Sequence, residues 1–294
     1  MGRSDSAGNV CRPMLIRIKA ILAALRPSKE PTLELWLEQL SHTEARCRWQ
    51  AVEALEQHTS KAQVLRALIE TLGDPHPFVR WQAAEVLSQS STEATFAPLV
   101  ATLSGSSTRR RSAAADALGM LGDRRAAAPL CKALVSRNVG VRRSAAEALA
   151  RLGAPSSLPA LSKALEDQDE HVRRAAAQAL GAIGSPDAVP ALMAALDDTS
   201  SLVRAGAISA LGKIGPASVA GSLREACQDP DPGVRWQAIR ALGAVGNADD
   251  TLSLKPLLGD NTRVFGSSIA EEAADALGAI LKRQDVKEHS RQQE

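Results

Sequence analysis

Three of the four tryptophans in this 294-residue chain occupy one place in a repeated pattern, because each directly follows an arginine. They are Trp49, Trp81 and Trp236, and arginines Arg143 and Arg174 stand at the same place in other copies. Four residues further on, several copies carry a carboxylate, namely Glu85, Asp116 and Glu147. Indole rings stack on conjugated ligands, guanidinium groups bind carboxylates, and a carboxyl group of suitable pKa transfers protons. Tryptophans at one recurring place predict a surface that contacts a ligand or a partner protein.

Other kinds of site find little support in the sequence. No nucleophile is paired with a base, and no glycine-rich phosphate loop is present. The four cysteines are far apart, and the five histidines share no repeat position, so we expect no metal site and a reducing, cytoplasmic location. A formal net charge of +2 is too weak for a general nucleic-acid clamp.

An internal repeat sets the elements that must position these side chains. An alanine lies three residues, and a leucine seven residues, after each of eight anchor positions, seven of which are arginines. The anchors are residues 48, 80, 111, 142, 173, 204, 235 and 270. On a helix the residue before the anchor, the alanine and the leucine share one narrow face. The pattern therefore predicts eight helices with a buried stripe.

Turn residues divide the chain between these helices. A glycine eleven residues after the anchor is expected to end each helix in a left-handed conformation, and prolines are expected in the first turn of a second helix. The glycines are Gly122, Gly153, Gly184, Gly215 and Gly246, and the prolines are Pro98, Pro129, Pro159 and Pro190. Helical hairpins of this kind stack into one continuous core. We predict an all-α protein, an α-solenoid of about eight hairpins.

An aspartate precedes several anchor arginines by six residues. The aspartates are Asp74, Asp167, Asp198 and Asp229. Such a carboxylate can cap the next helix and pair with arginine, so that neighbouring units form a ladder of contacts. His42, Gly105 and Ser136 replace the aspartate in three units. The pattern predicts that Arg48, Arg111 and Arg142 lack this partner.

The Val-Arg-x-x-Ala-x-x-x-Leu-Gly pattern, together with the aspartate, resembles HEAT repeats over roughly residues 33–283. The 31-residue period and the Leu-Gly-x-x-Gly ending are similar to the short HEAT-like subtype named after phycobilisome lyases. A second HEAT-repeat family, the metal-dependent deoxyhypusine hydroxylases, carries repeated His-Glu pairs that this sequence lacks. The resemblance implies a concave groove lined by the residues one and five after each anchor.

The resemblance to the lyases implies an enzyme that attaches an open-chain tetrapyrrole, or bilin, to a cysteine of a phycobiliprotein. The bilin, phycocyanobilin or phycoerythrobilin, would be a substrate and not a resident cofactor. The tryptophans would stack on it, and Arg143 and Arg174 would bind its propionates. Glu85, Asp116 or Glu147 would hold its pyrrole nitrogens protonated. A second HEAT-repeat subunit is a further expected partner, and the sequence leaves isomerisation of the bilin open.

The segment from Ser104 to Gly153 carries ten basic and three acidic residues. We expect its arginines to attract an acidic partner, and the alternative is an ordinary solvated surface. The arginines assigned to partner binding are Arg109, Arg110, Arg111, Arg124 and Arg125.

Residues 1–32 are expected to form a tail and a capping helix, and residues 284–294 a polar tail. The basic N-terminal segment leaves a targeting signal open, and no segment is apolar and long enough for a membrane span. The main alternative function is a non-catalytic scaffold that binds a partner protein in its groove, with the tryptophans filling space between helices. A DNA-binding enzyme is a third alternative, which the nearly balanced charge disfavours.

Overall fold

A computed structural model describes residues 32–215 and 217–291 and shows an all-α solenoid. The described helices are α1 (Leu33–Gln39), α2 (Ala45–Leu55), α3 (Ala62–Thr71), α4 (Pro77–Gln89), α5 (Thr92–Leu103), α6 (Thr108–Leu121), α7 (Ala127–Ala133), α8 (Val139–Leu152), α9 (Leu158–Ala164), α10 (Glu170–Ile183), α11 (Val189–Ala194), α12 (Ser201–Ile214), α13 (Ala220–Ala226), α14 (Pro232–Val245), α15 (Thr251–Leu254) and α16 (Ile269–Arg291). The expected N-terminal capping helix and targeting signal lie outside the described residues, apart from Thr32.

The even-numbered helices α2 to α16 carry the eight anchors and pack on one another in sequence order. The repeated alanines are fully buried in all eight, and the repeated leucines in the first seven, from Leu55 to Leu242, while Leu277 is half-buried. Small residues let these helices approach closely. A Cβ atom placed on Gly119 would lie 2.7 Å from the Cα atom of Ala148 in the next anchor helix. The predicted buried stripe is confirmed.

Glycine ends four anchor helices as predicted, with φ of +73°, +55°, +71° and +73° at Gly122, Gly153, Gly184 and Gly215. The prediction is wrong at Gly246, which has an extended backbone with φ of −68°. Space and not conformation explains glycine there, because a Cβ atom would lie 2.5 Å from the carbonyl oxygen of Leu242.

The prolines and the end of the chain also depart from the simple repeat. Pro129, Pro159 and Pro190 lie in the first turns of α7, α9 and α11, but Pro98 lies inside α5 because that helix already begins at Thr92. A two-stranded antiparallel hairpin of β1 (Arg263–Val264) and β2 (Ser267–Ser268) lengthens the last repeat. Helix α16 continues through residue 283 to Arg291, so no break in the helix marks the expected tail.

The arginine–aspartate ladder joins neighbouring units and does not close within one. Arg173 donates from Nη1 to the carbonyl oxygen of Asp167 in its own turn (2.8 Å), and from Nε and Nη2 to the carboxylate of Asp198 in the next turn (2.7 and 2.8 Å). The arginine side chain and its carboxylate are both largely buried. The same pairing joins Arg48 to Asp74, Arg142 to Asp167, Arg204 to Asp229 and Arg235 to Asp260.

This register corrects the prediction about unpaired arginines. Arg48 and Arg142 each hold a carboxylate although their own turns lack an aspartate, because the partner comes from the following turn. A missing aspartate therefore affects the arginine of the preceding unit. Among the described residues, Gly105 leaves Arg80 without a paired carboxylate, and Ser136 leaves Arg111 donating to the carbonyl oxygen of Leu103 (2.9 Å). We call the first of these places the ladder gap.

Candidate functional site

A hollow of about 450 Å³ opens between three successive anchor helices, α4, α6 and α8, beside the ladder gap. The side chains that give it chemical character are Arg80, Trp81, Arg109, Ser112, Asp116 and Arg143. Pockets of this size hold small organic ligands. We call this place the α4–α8 hollow.

Helical periodicity explains why these residues meet. Trp81, Ser112 and Arg143 each stand one residue after an anchor, on the side of the helix opposite the buried stripe, and Asp116 lies one turn further along α6. The small Ser112 leaves room between the larger Trp81 and Arg143. Trp81 is 42% exposed, so much of its indole surface is free for contact with a ligand.

The hollow carries an excess of positive charge. Arg80, Arg109 and Arg143 face one lining carboxylate, Asp116, and Arg143 is also 3.7 Å from the Glu147 carboxylate through its Nε. Burial, and then the positive charge of Arg109, lower the pKa of Arg80. An anion in the hollow would relieve this crowding of like charges.

Asp116 has the properties of a proton donor near neutral pH. Burial raises the pKa of its carboxyl group to about 6, and Glu147 adds to the rise. Arg151, the Ser144 hydroxyl and Arg143 act in the opposite direction, Arg151 most strongly. A carboxyl group that titrates near the working pH can both give and take a proton.

The other predicted ligand-binding residues lie outside the hollow. Glu147 borders it through Arg143, whereas Glu85 and Trp49 belong to α4 and α2 without lining it, and Trp49 packs against the core. Arg174, on α10, has its Nε buried without a hydrogen-bond acceptor among the described residues. The assigned roles of these residues stay predictions.

Trp236 is placed in a different environment from Trp81. Its ring meets the edge of Phe265 in the C-terminal hairpin, with centroids 5.4 Å apart, and the guanidinium group of Arg240 lies 5.3 Å from its centroid. The structure therefore does not bring Trp236 to the α4–α8 hollow, and its role in ligand binding stays a prediction. Phe265 belongs to the hairpin inserted before α16, so this contact has no counterpart at Trp81.

The arginines assigned to partner binding do not form one patch. Arg109 lines the hollow, Arg110 pairs with Glu70 (2.5 Å), and Arg111 turns toward a backbone carbonyl. Arg124 and Arg125 lie beyond the opposite end of the fourteen-residue α6, about 20 Å away.

Arg125 is already engaged there. It pairs with Asp123 (2.6 Å) and Glu93 (3.1 Å), and its guanidinium group lies 4.6 Å from the ring centroid of Phe96. The sequence segment is basic, but the structure distributes its charge over two ends of a helix.

Sequence reasoning missed Arg80 as a site residue. The signal was available, because Gly105 stands 25 residues after Arg80 where other units have an aspartate. Spacing within one unit links the missing aspartate to Arg111 and not to Arg80. The pairing between neighbouring units cannot be read from that spacing.

Two negative findings hold for the residues that the structure describes. No group of three or more histidine, cysteine, aspartate or glutamate side chains is placed to hold a metal ion. None of these helices combines the length and the apolar character needed to cross a membrane.

The family model described as HEAT repeats matches residues 33–119, 127–211 and 189–278. The model described as PBS lyase HEAT-like repeat matches residues 110–136, which include most of α6 with Ser112 and Asp116. Among proteins of curated function, none matches the sequence significantly.

Several solved structures are similar to this chain at low identity, and the first of them shares its fold. YibA of Escherichia coli is 19% identical with a TM-score of 0.61, covering 95% of this chain and 99% of its own. The complex of CpcE and CpcF of phycocyanin lyase from Nostoc is 24% identical, with 87% and 97% covered and a TM-score of 0.41. Human deoxyhypusine hydroxylase is 21% identical, with 85% and 96% covered and a TM-score of 0.38.

Proposed function

The chain belongs to the HEAT-repeat family, and we propose that its α4–α8 hollow binds an open-chain tetrapyrrole and presents it for attachment to a cysteine of a phycobiliprotein. The observation that carries the proposal is the meeting of an exposed tryptophan, three arginines and a carboxyl group of pKa about 6 in one hollow. A flat ring system with acidic side chains complements this set of groups.

Each lining residue has a distinct part in binding. The exposed indole of Trp81 stacks on the conjugated pigment, and the guanidinium groups of Arg109 and Arg143 bind one of its propionates. Ser112 leaves the floor of the hollow open for the ring system. The three arginines also draw an acidic ligand toward the site before contact.

Asp116 supplies the proton in the proposed reaction. As the thiolate of the acceptor cysteine forms a carbon–sulfur bond with the ethylidene carbon of the bilin, the electron pair moves through the conjugated system to a pyrrole nitrogen, which takes a proton from Asp116. The net change is conjugate addition of a thiol, with the sulfur bound to the ethylidene carbon and the proton to the pyrrole nitrogen. A carboxyl group of pKa about 6 suits this transfer, and the nucleophile belongs to the phycobiliprotein.

The match of residues 110–136 to the PBS lyase HEAT-like repeat supports the bilin as the ligand within the class of flat acids. It covers the helix that contributes Asp116. We expect the phycobiliprotein to dock beside the hollow. We also expect a second HEAT-repeat subunit to complete the groove, as in a lyase built from two such subunits.

Transfer of phycocyanobilin to a co-expressed phycobiliprotein tests the proposal. We expect Trp81→Ser combined with Arg143→Met to abolish transfer and to remove the shift in the visible absorption of added pigment. Serine at 81 reproduces the residue found at 112, so the fold should tolerate it. The matched control, Trp236→Ser with Arg124→Met, should retain transfer. Full transfer by the hollow variant, with a native circular dichroism spectrum, would refute the proposal.

A second function, a scaffold for a partner peptide, is favoured by one observation. Phe78 is 69% exposed and follows Pro77, which lines the hollow, so an apolar side chain is available to a partner at the N-terminal end of α4. A scaffold would leave the absorption of added bilin unchanged, whereas the proposed lyase would shift it.

A further inference from the structure

The ladder gap gives the hollow a specific anchoring point. We infer that Arg80 binds a carboxylate of the ligand, which takes the place of the aspartate that the ladder lacks at position 105. The inference rests on the proposed function for the identity of the ligand, a bilin propionate, but the carboxylate site is defined by the protein alone.

Arg80 is already held in the ladder position. Its Nη1 donates to the carbonyl oxygens of Asp74 (2.8 Å) and Pro75 (3.0 Å), as Nη1 of Arg173 donates to Asp167 (2.8 Å) and Gln168 (3.2 Å). In four intact units Nε and Nη2 then bind the next carboxylate, and in the fifth, at Arg235, Nη2 does. At Arg80 these two donors have no acceptor among the described residues, so one bidentate edge is oriented and unfilled.

The turn that should supply the carboxylate is present. The Gly105 N–H donates to the carbonyl oxygen of Thr102 (3.0 Å), just as Asp74 N–H donates to Thr71 (3.0 Å). This contact of the Gly105 turn matches that of the ladder turns, although Arg111 donates to the carbonyl oxygen of Leu103 and not to that of Gly105. A carboxylate from outside the chain can occupy the space without a change of fold.

The two interruptions of the ladder are not equivalent. Arg111 at the second one donates from Nε to Leu103 and does not line the hollow. Arg80 lines the hollow with Trp81, Arg109 and Arg143, so a carboxylate bound to it would place an attached ring system beside the indole. The first gap is thus coupled to a binding site, and the second serves as an internal control.

Restoring the missing aspartate tests the inference. A Cβ atom at Gly105 would lie 3.2 Å from the Thr102 carbonyl oxygen and φ is not left-handed, so a small adjustment admits Gly105→Asp. We expect this variant to bind phycocyanobilin about tenfold to a hundredfold more weakly, because its own carboxylate occupies Arg80. The matched variant Ser136→Asp adds the same charge at the second gap and should change affinity by less than about twofold.

Two probes separate the carboxylate site from the identity of the ligand. The dimethyl ester of phycocyanobilin lacks free propionates and should bind wild type and Gly105→Asp equally weakly. Pyrenebutyrate, a flat aromatic carboxylate unrelated to bilins, should bind wild type and lose affinity in Gly105→Asp but not in Ser136→Asp.

A ligand-free measurement tests the geometry. Gly105→Asp should raise the thermal unfolding midpoint by about 2–4 °C in the native background and by less than half as much with Arg80→Met present. Equal shifts in both backgrounds would overturn the inference, because Arg80 would then not be poised for a carboxylate.

The outcomes distinguish the two proposals. Equal binding of phycocyanobilin by wild type and Gly105→Asp overturns the Arg80 anchor and leaves the bilin site standing. Arg80-dependent binding of pyrenebutyrate without any binding of bilin keeps the anchor and refutes the proposed function. Binding of neither probe refutes both.

Discussion

The pentapeptide Val-Arg-Trp-Gln-Ala occurs twice, at residues 79–83 and 234–238, and the two copies have different surroundings. In the second, Arg235 pairs with Asp260 (3.0 Å) and Trp236 is covered by Phe265. In the first, Arg80 faces the ladder gap and Trp81 is 42% exposed in a hollow. The same five residues form a closed structural unit in one place and an open, charged site in the other.

The difference lies in what the following unit provides. Asp260 and the hairpin close the second copy, whereas Gly105 and Ser112 leave the first one open. In a repeat protein, a binding site can therefore arise by omission from the neighbouring unit while the repeat that carries the contact residues stays unchanged.

The largest effects should come from the core, where the two copies do not differ. Leu87 and Leu242 are both fully buried. Leu87→Ala and Leu242→Ala should each lower the free energy of unfolding by about 2–5 kcal/mol, as measured by urea denaturation. A loss confined to one of the two would show that the cores are not equivalent.

Opening the closed copy should have the next largest effect. Asp260→Gly removes the carboxylate from the largely buried Arg235 and should cost about 1–3 kcal/mol in the free energy of unfolding. Denaturation of this variant with and without Arg235→Met checks the cause. The cost should be smaller in the Arg235→Met background, and an unchanged cost would contradict the ladder.

The titration of Asp116 in the α4–α8 hollow should change the stability of the protein with pH. The pKa of Asp116 is about 6 in the folded protein and near 4 in an unfolded chain, so the free energy of unfolding should fall as the pH rises from about 4 to 6. We expect this fall in the free energy of unfolding to be about 1 kcal/mol, a figure that allows for the partial exposure of Asp116. Asp116→Asn should remove it.

The aspartates of the ladder should respond in the opposite direction. The hydrogen bond from Arg173 lowers the pKa of Asp198, so its contribution is present above the unfolded pKa and is lost as the pH falls through the lower, folded value. Urea denaturation of wild type and Asp116→Asn from pH 3 to 7 separates the two. Parallel curves for both proteins would contradict the raised pKa of Asp116.

The smallest effect is expected at the cover over Trp236. Phe265 has a φ of +52°, unfavourable for a residue other than glycine. Phe265→Gly loses the ring contact but relieves this strain, so stability should change by less than about 1 kcal/mol. Quenching of tryptophan fluorescence by iodide should increase. Unchanged quenching would show that Phe265 does not shield Trp236.

The fold could be predicted well from the sequence because each unit of about 31 residues repeats the same local pattern of buried and helix-ending residues. Alanine and leucine at fixed places define the buried stripe without knowledge of the neighbours, and glycine at Gly122 or Gly184 ends a helix by its own conformation. The failures occur where one unit departs from the pattern that the others share. Gly246 is glycine because of crowding against Leu242, and Pro98 lies inside a helix that begins earlier than in other units.

The candidate site was predicted only in part for the same reason. Trp81, Asp116 and Arg143 were identified from their places on a helix face, and the structure brings them together. Trp236 lies outside the hollow and contacts Phe265 of the irregular hairpin, which the repeat pattern does not predict. Arg80 was missed because its partner would come from a turn 25 residues away.

A crystal structure of the protein with phycocyanobilin tests the central claim most directly. The account predicts a propionate within about 3 Å of Nε and Nη2 of Arg80, with the pigment against the indole of Trp81 and a pyrrole nitrogen beside Asp116. A pigment seated over Trp236 or elsewhere on the solenoid, with the α4–α8 hollow empty, would contradict it.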